Sequence, residues 1–191
     1  MPGLSDEDLL AGIGRGDTEA VKEFFLRHRQ GAFRVAYRLL GNDADALDVV
    51  EDAFIKLMKA AGKFRGESSA KTWFYRILTN TAVDARRKRS RFVTLESDDE
   101  DKEGLKNTLP SREEGPEQAT LRKETAGKIE EAIDTLGEKH RAVFMLAVVE
   151  GLSYNETAEI LGILPGTVMS RLFYARKYLQ ESLKDYMGAQ E

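Results

Sequence analysis

Ser153-Tyr-Asn-Glu156-Thr-Ala-Glu-Ile-Leu-Gly162-Ile-Leu-Pro165-Gly-Thr-Val-Met-Ser-Arg171 is the stretch that decides the fold of this 191-residue chain. Ser153 and Glu156 form a capping box, in which the serine oxygen takes the amide of Glu156 and the glutamate reaches back to the serine amide. A helix must start there. Gly162 suits its end, and Pro165 suits the first turn of the next helix, where a missing N–H costs nothing. The unit is a helix-turn-helix, with Ala158 at a close crossing and Val168 packing the second helix on the first. An ordinary antiparallel helix pair would carry the same marks. The second helix, Pro165 to about Tyr186, presents Thr167, Ser170, Arg171, Tyr174, Arg176 and Lys177. That mixture of donors and cations suits the base edges of a major groove, and a solvated amphipathic face would look similar.

Working upstream, Ile129, Ile133 and Leu136 fall on one helical face and Val143, Phe144, Ala147 and Val148 on the next, closed by Gly151. Before them, Phe92 to Leu121 carries Pro110, Pro116, Gly104, Gly115 and many acids with no regular apolar period. This reads as an acidic, flexible interdomain linker. Further upstream three helices are expected, with room for a short one before them. Val21, Phe24, Phe25, Ala32, Val35, Ala36 and Leu39 mark the first, from Asp17 to Gly41. Leu47, Val50, Phe54, Leu57 and Met58 mark the second. Ser68 or Ser69 can cap the third, whose apolar face is Trp73, Phe74, Ile77, Leu78 and Val83. The expected fold is all-α, with two small helical domains at 1–91 and 122–191 joined by the linker at 92–121. With so few apolar residues between them, the two are expected to fold as separate units.

Composition narrows the chemistry. The chain has no cysteine and two histidines, His28 and His140, so thiolate catalysis, disulfides and cysteine-based zinc sites are excluded and no metal or cofactor is expected. No apolar run approaches the ~20 residues of a membrane helix, and the acidic N-terminus lacks the marks of a secretory signal, so a cytoplasmic protein is expected. Net charge is -4, but it is unevenly spread: residues 1–91 hold 17 Lys+Arg against 13 Asp+Glu, whereas residues 123–191 hold 8 against 11. The basic excess centres on Arg86-Arg87-Lys88-Arg89-Ser90-Arg91.

Two further clusters stand out. Trp73, Phe74 and Tyr75 lie among Lys63, Arg65, Lys71 and Arg76, and cations with aromatics are the means of holding single-stranded nucleic acid, each stacked base contributing roughly 1–3 kcal/mol. Phe74 suits a core position better, and Trp73 suits either role. Asp43, Asp45, Asp48, Glu51 and Asp52 gather on one helix without a matching acidic helix, so a solvated or partner-binding face is expected rather than a metal site.

In these motifs the chain resembles the extracytoplasmic-function sigma factors, two-domain promoter-recognition subunits of bacterial RNA polymerase. Asp45-Ala-Leu-Asp-Val-Val-Glu-Asp-Ala-Phe54 is similar to the polymerase-docking helix of region 2. Phe64-Arg-Gly-Glu-Ser, Lys71-Thr-Trp-Phe-Tyr-Arg-Ile-Leu-Thr-Asn80 and Asp84-Ala-Arg-Arg-Lys88 are similar to the part that opens the minus-10 element. Leu136 to Arg141, with Glu150-Gly-Leu-Ser-Tyr through Leu172, resembles region 4, the helix-turn-helix that reads the minus-35 element.

The resemblance implies that Asp45, Asp48, Glu51, Asp52 and Phe54 meet core polymerase. It implies that Phe64, Arg65, Trp73, Arg76 and Asn80 hold the opened strand, that Arg86, Arg87 and Lys88 meet upstream phosphates, and that Arg141, Thr167, Ser170, Arg171, Tyr174, Arg176 and Lys177 meet the minus-35 duplex. Core RNA polymerase, promoter DNA and an anti-sigma factor are the implied partners; no enzymatic activity, cofactor or membrane insertion is implied. The chain departs from the family at Glu51, where Gln is usual, at Thr157, where an aliphatic residue is usual, at Met169, where Lys is common, and at Tyr174, where Arg is frequent. Two other readings compete: a free-standing helix-turn-helix regulator, against which the acidic docking helix argues, and a sigma mimic, against which Arg171 and Arg176 argue.

Overall fold

The computed structural model describes residues 3–93 and 127–187, which contain eight helices and no strand. They are α1 (Asp6–Gly14), α2 (Thr18–Leu40), α3 (Asp43–Ala60) with a 3₁₀ turn at Ala61–Lys63, α4 (Ala70–Val93), α5 (127–135), α6 (Glu138–Phe144) running into a π turn at Met145–Val149, α7 (Tyr154–Leu161) and α8 (Pro165–Met187). The expected linker lies outside the described residues from position 94 onward.

Local chemistry sets the helix starts. Ser5 and Asp8 make a capping box for α1; Asp17 accepts the amides of Glu19 and Ala20; Asn42 accepts that of Asp45; Ser69 accepts that of Thr72 at 3.0 Å. The Ser153–Glu156 box caps α7, which ends on Gly162 in the left-handed conformation at φ +62°, where a Cβ would be strained.

Two apolar clusters follow. Val143, Ala158, Val168 and Leu172 bind α7 and α8 into the helix-turn-helix. The larger cluster centres on Phe24, Phe54 and Phe74, with ring centroids 5.7 Å apart for Phe24–Phe74 and 4.6 Å for Phe54–Phe74. Phe74 is a core residue. So are Phe54 and Tyr75, which corrects the expectation that Phe54 meets a partner and that Tyr75 stands among strand-binding aromatics. Packed rings cannot also present a free face.

The larger cluster does not stop at the N-terminal half. It runs on through Ala132, Ile133, Leu136, Met145, Leu146, Leu152 and Ile160, so the two halves, expected to be separate units, lie packed together. The cause is visible on α7, which buries Ala158 toward α8 and Ile160 in the shared cluster, about 200° apart on the helix. The π turn after α6 also shifts the register. Met145 and Leu146 are buried there, whereas Val148, expected inside on a 3.6-residue period, is exposed.

Thr157 is fully buried, and its hydroxyl has no hydrogen-bond partner among the described residues. A buried hydroxyl without a partner costs about 1–3 kcal/mol, so Thr157→Val, which keeps the shape and removes the oxygen, is expected to stabilise the fold by roughly 1 kcal/mol. Thermal unfolding checks this: the expected result is an upward shift in Tm of a few degrees, and a downward shift would contradict it.

Candidate nucleic-acid interface

On α4, Trp73, Arg76, Asn80 and Arg87 recur at spacings of three, four and seven residues, which sets them along one stripe. Phe64, just before α4, packs its ring against Trp73 at 5.3 Å and 49°. The pair is half-buried and packs against the larger apolar cluster. Arg65, Asn80, Arg87 and Lys88 are exposed around it. Two of the expected strand and phosphate contacts are already engaged. Arg76 pairs with Glu159 of α7 at 2.7 Å, and Arg86 pairs with Glu138 at the start of α6. The latter pairing raises the guanidinium pKa and lowers that of the carboxyl, in both cases chiefly through the hydrogen bond they share.

The acidic helix α3 divides in a way the sequence does not show. Asp45 turns back to Arg89 at 2.8 Å and to the Asn42 amide group. Asp48, Glu51 and Asp52 are exposed, and beside them stand Leu47, Ile55 and Met58, also exposed. Together these six form one mixed apolar and acidic face, with the apolar members in the place that Phe54 was expected to fill. Among the described residues no group of three His, Asp or Glu side chains could hold a metal.

In α8 the buried side is Val168, Leu172, Ala175 and Leu179, so the outward side is Met169, Ser170, Phe173, Tyr174 and Lys177. Phe173, at 64% the most exposed large apolar side chain of the helix, was not among the residues the sequence assigns to the interface, whereas Met169, 57% exposed, stands where the family's Lys is common. Turning the sequence at 100° per residue places Phe173 on the same outward face. Thr167 and Arg171 sit half-buried on one flank. Arg176, five residues beyond Arg171, is about 140° away on the other flank, in a groove with Tyr154, Met169, Phe173 and Gln180. Arg171 and Arg176 therefore cannot read one stretch of groove together.

Arg141 has a different task from the one expected. Its guanidinium donates to the carbonyls of Arg38 at 3.2 Å, of Leu136 at 2.8 Å and of Asp134, which ties the α5–α6 turn to α2. A side chain spent on three carbonyls is not free for phosphate.

A four-helix N-terminal half with a cationic, aromatic-edged stripe, joined to a helix-turn-helix, defines a nucleic-acid-binding protein with two separate faces. The family model Sigma-70 region 2 matches residues 24–92, and Sigma-70, region 4 matches residues 126–179. The RNA polymerase sigma-H factor of Pseudomonas aeruginosa is 34% identical over 94% of both chains, and the ECF RNA polymerase sigma-E factor of Escherichia coli is 32% identical over 95% of both. Among solved structures, the sigma factor RpoE of Bartonella quintana, in complex with the anti-sigma factor NepR, aligns with a TM-score of 0.70 at 26% identity, covering 85% of this chain and 96% of that one. The chain belongs to the sigma-70 family, in its extracytoplasmic-function group.

Glu156 links the two halves through hydrogen bonds. Its carboxylate accepts from Thr72 Oγ1 at 2.7 Å and Ser69 Oγ at 3.1 Å on the N-terminal half, and from the Ser153 amide and hydroxyl in its own cap. These bonds, the one from Thr72 foremost, hold its pKa down to about 2 from near 4.5. A depressed carboxylate stabilises the fold above its unfolded pKa, and that contribution is lost as pH falls toward the folded value. Glu156→Gln is therefore expected to flatten the decline in stability between about pH 4.5 and pH 2. Urea unfolding across that range checks it: an acid limb as steep as that of the unaltered chain would contradict the assignment.

Proposed function

We propose that this chain directs core RNA polymerase to promoters, with the α3 face docking on the polymerase, the α4 stripe holding the opened minus-10 strand and the outward face of α8 reading the minus-35 duplex. One observation carries the reading: three exposed faces of different chemistry coexist on one small chain. A regulator that only binds duplex needs the third face alone. The exposed acids with Leu47, Ile55 and Met58 suit a protein partner of opposite charge with apolar contacts, since charge steers the encounter and apolar burial holds it. The half-exposed Phe64–Trp73 pair suits an unstacked base, and Arg65, Asn80, Arg87 and Lys88 suit the backbone that follows it.

In this role the protein is a specificity subunit working with the polymerase in the cytoplasm, and the reaction is the polymerase's own. An anti-sigma factor fits as a further partner, because the exposed apolar side chains of α3 and α8 need cover whenever polymerase is absent.

Transcription with core polymerase on a library of random promoters is the direct test. Start sites that share upstream elements support the reading, and tight sequence-specific duplex binding without core would favour the free-standing regulator instead. Asp48→Arg is expected to weaken association with core about tenfold or more while leaving circular dichroism unchanged, because it reverses one charge on an exposed docking face. Unaltered competition for core would return Asp48 to the solvated surface. Met169→Lys adds a cation to the outward face of α8, so it should strengthen binding to all minus-35 sequences about equally and steepen the salt dependence by roughly one log-log unit. An unchanged slope would mean that this face does not meet the backbone.

A further inference from the structure

The outward side of the first turns of α8 offers rings rather than charge. In a helix-turn-helix the N-terminal residues of the second helix meet the base edges. On α8 the buried residues Val168, Leu172 and Ala175 set the opposite side, at about 100° per residue, on Ser170, Phe173 and Tyr174. Arg171 and Arg176 stand on the two flanks, and the first cation on the outward side is Lys177, about 18 Å along the helix from Pro165 at 1.5 Å per residue. Ser170 turns its hydroxyl back onto the carbonyl of Thr167 at 3.1 Å. Phe173 and Tyr174 are left, both well exposed, with their rings edge to face at 5.5 Å and 79°. Tyr174 is also held from α6, where the His140 ring meets it at 6.4 Å and 70°. The place of His140 follows from its neighbours. Val143 on the same helix is buried with Val168 and Leu172, and Arg141 ties down the α5–α6 turn through three carbonyls.

We infer that Phe173 and Tyr174 are specificity-determining residues that read thymine in the upstream element, with His140 as the positioning residue of Tyr174. The inference deepens the proposed function and rests on it. The chemistry of the base edges supplies the argument. In the major groove guanine shows two acceptors and is read by a fork of two N–H donors, cytosine shows an amino donor, adenine an acceptor beside a donor, and thymine the O4 acceptor beside a methyl group. A ring without polar atoms next to a ring bearing one hydroxyl matches the last of these: Phe173 covers the methyl group and the Tyr174 hydroxyl donates to O4. Neither residue can give guanine two parallel donors. An arginine at position 174 would supply that fork; the tyrosine does not.

The test uses the full chain assembled with core polymerase. Promoters are selected from a random library, and each thymine of the enriched upstream element is then replaced by uracil, which removes only the methyl group. At the position that Phe173 covers, uracil should lower affinity in competition about fourfold, the weight of one buried methyl group. Phe173→Ala should bind the thymine and uracil duplexes alike, and Tyr174→Arg should move the preferred base at one pair from thymine to guanine. His140→Ala should relax the same preference, and His140→Phe, which keeps an aromatic edge against Tyr174, should retain it. An element without thymine, equal binding of thymine and uracil duplexes by the unaltered chain, or a Tyr174→Arg chain with its base preference unaltered would overturn the inference. Weaker binding by Phe173→Ala with the fourfold ratio intact would overturn it too, since the ring would then serve the fold or the backbone and not the methyl group. A His140→Phe chain as relaxed as His140→Ala would overturn the positioning role. If core polymerase started nowhere with this chain, the proposed function would fail; duplexes selected by the full chain alone then enter the same comparison, and thymine against uracil still decides the inference.

Discussion

The carboxylate of Glu150, enclosed by Arg34, Lys71 and Tyr75, is the contact on which the arrangement of the two halves depends. A buried carboxylate is tolerated only when its oxygens are fully occupied, and here the partners come from α2 and α4 of the opposite half. The same contact fixes the approach of α7 to α4, and with it the pairing of Arg76 with Glu159 and of Glu156 with Thr72. Removing one side of such a pair leaves the other uncompensated. The halves therefore meet through satisfied charge and through the apolar cluster beneath it.

The contact also shapes what the candidate interface can do. The cations proposed to hold the strand and its phosphates fall into two sets, one exposed (Arg65, Arg87, Lys88) and one paired with the C-terminal half (Arg76, Arg86). The outward face of α8, by contrast, is open in the same arrangement, with Met169, Phe173 and Tyr174 exposed. One face is ready and the other is partly covered.

Much of this was legible in the sequence where the signal is local. The Ser153–Glu156 box, Gly162 and Pro165 place α7 and α8 without any tertiary information, and Asp17 and Gly41 bound α2 in the same way. What was not legible depends on contacts distant in sequence. A period of 3.6 residues assigns Val148 to the core, but a π turn gives that place to Met145 and Leu146. The helical period sets Phe54 on the apolar face with Leu47 and Met58, and only the packing of Phe24 and Phe74 decides that Phe54 is inside while Leu47 and Met58 stay exposed. Arg141 reads as a duplex contact because its carbonyl partners, on Arg38, Asp134 and Leu136, carry no side-chain signature at all. Likewise the seam between the halves could be suspected from their opposite net charges, but the matching of Glu150 to Tyr75 could not.

The central claim is that two halves packed together in the structure carry separate faces for two separate promoter elements, minus-10 and minus-35. The most direct measurement tethers an iron chelate to a single cysteine at Glu67→Cys, beside Phe64 and Arg65, or at Gln180→Cys on α8, in holoenzyme assembled on a promoter fragment. The account predicts hydroxyl-radical cleavage around the minus-10 element from the first tether and around the minus-35 element from the second. Cleavage of the same few base pairs from both tethers would contradict it.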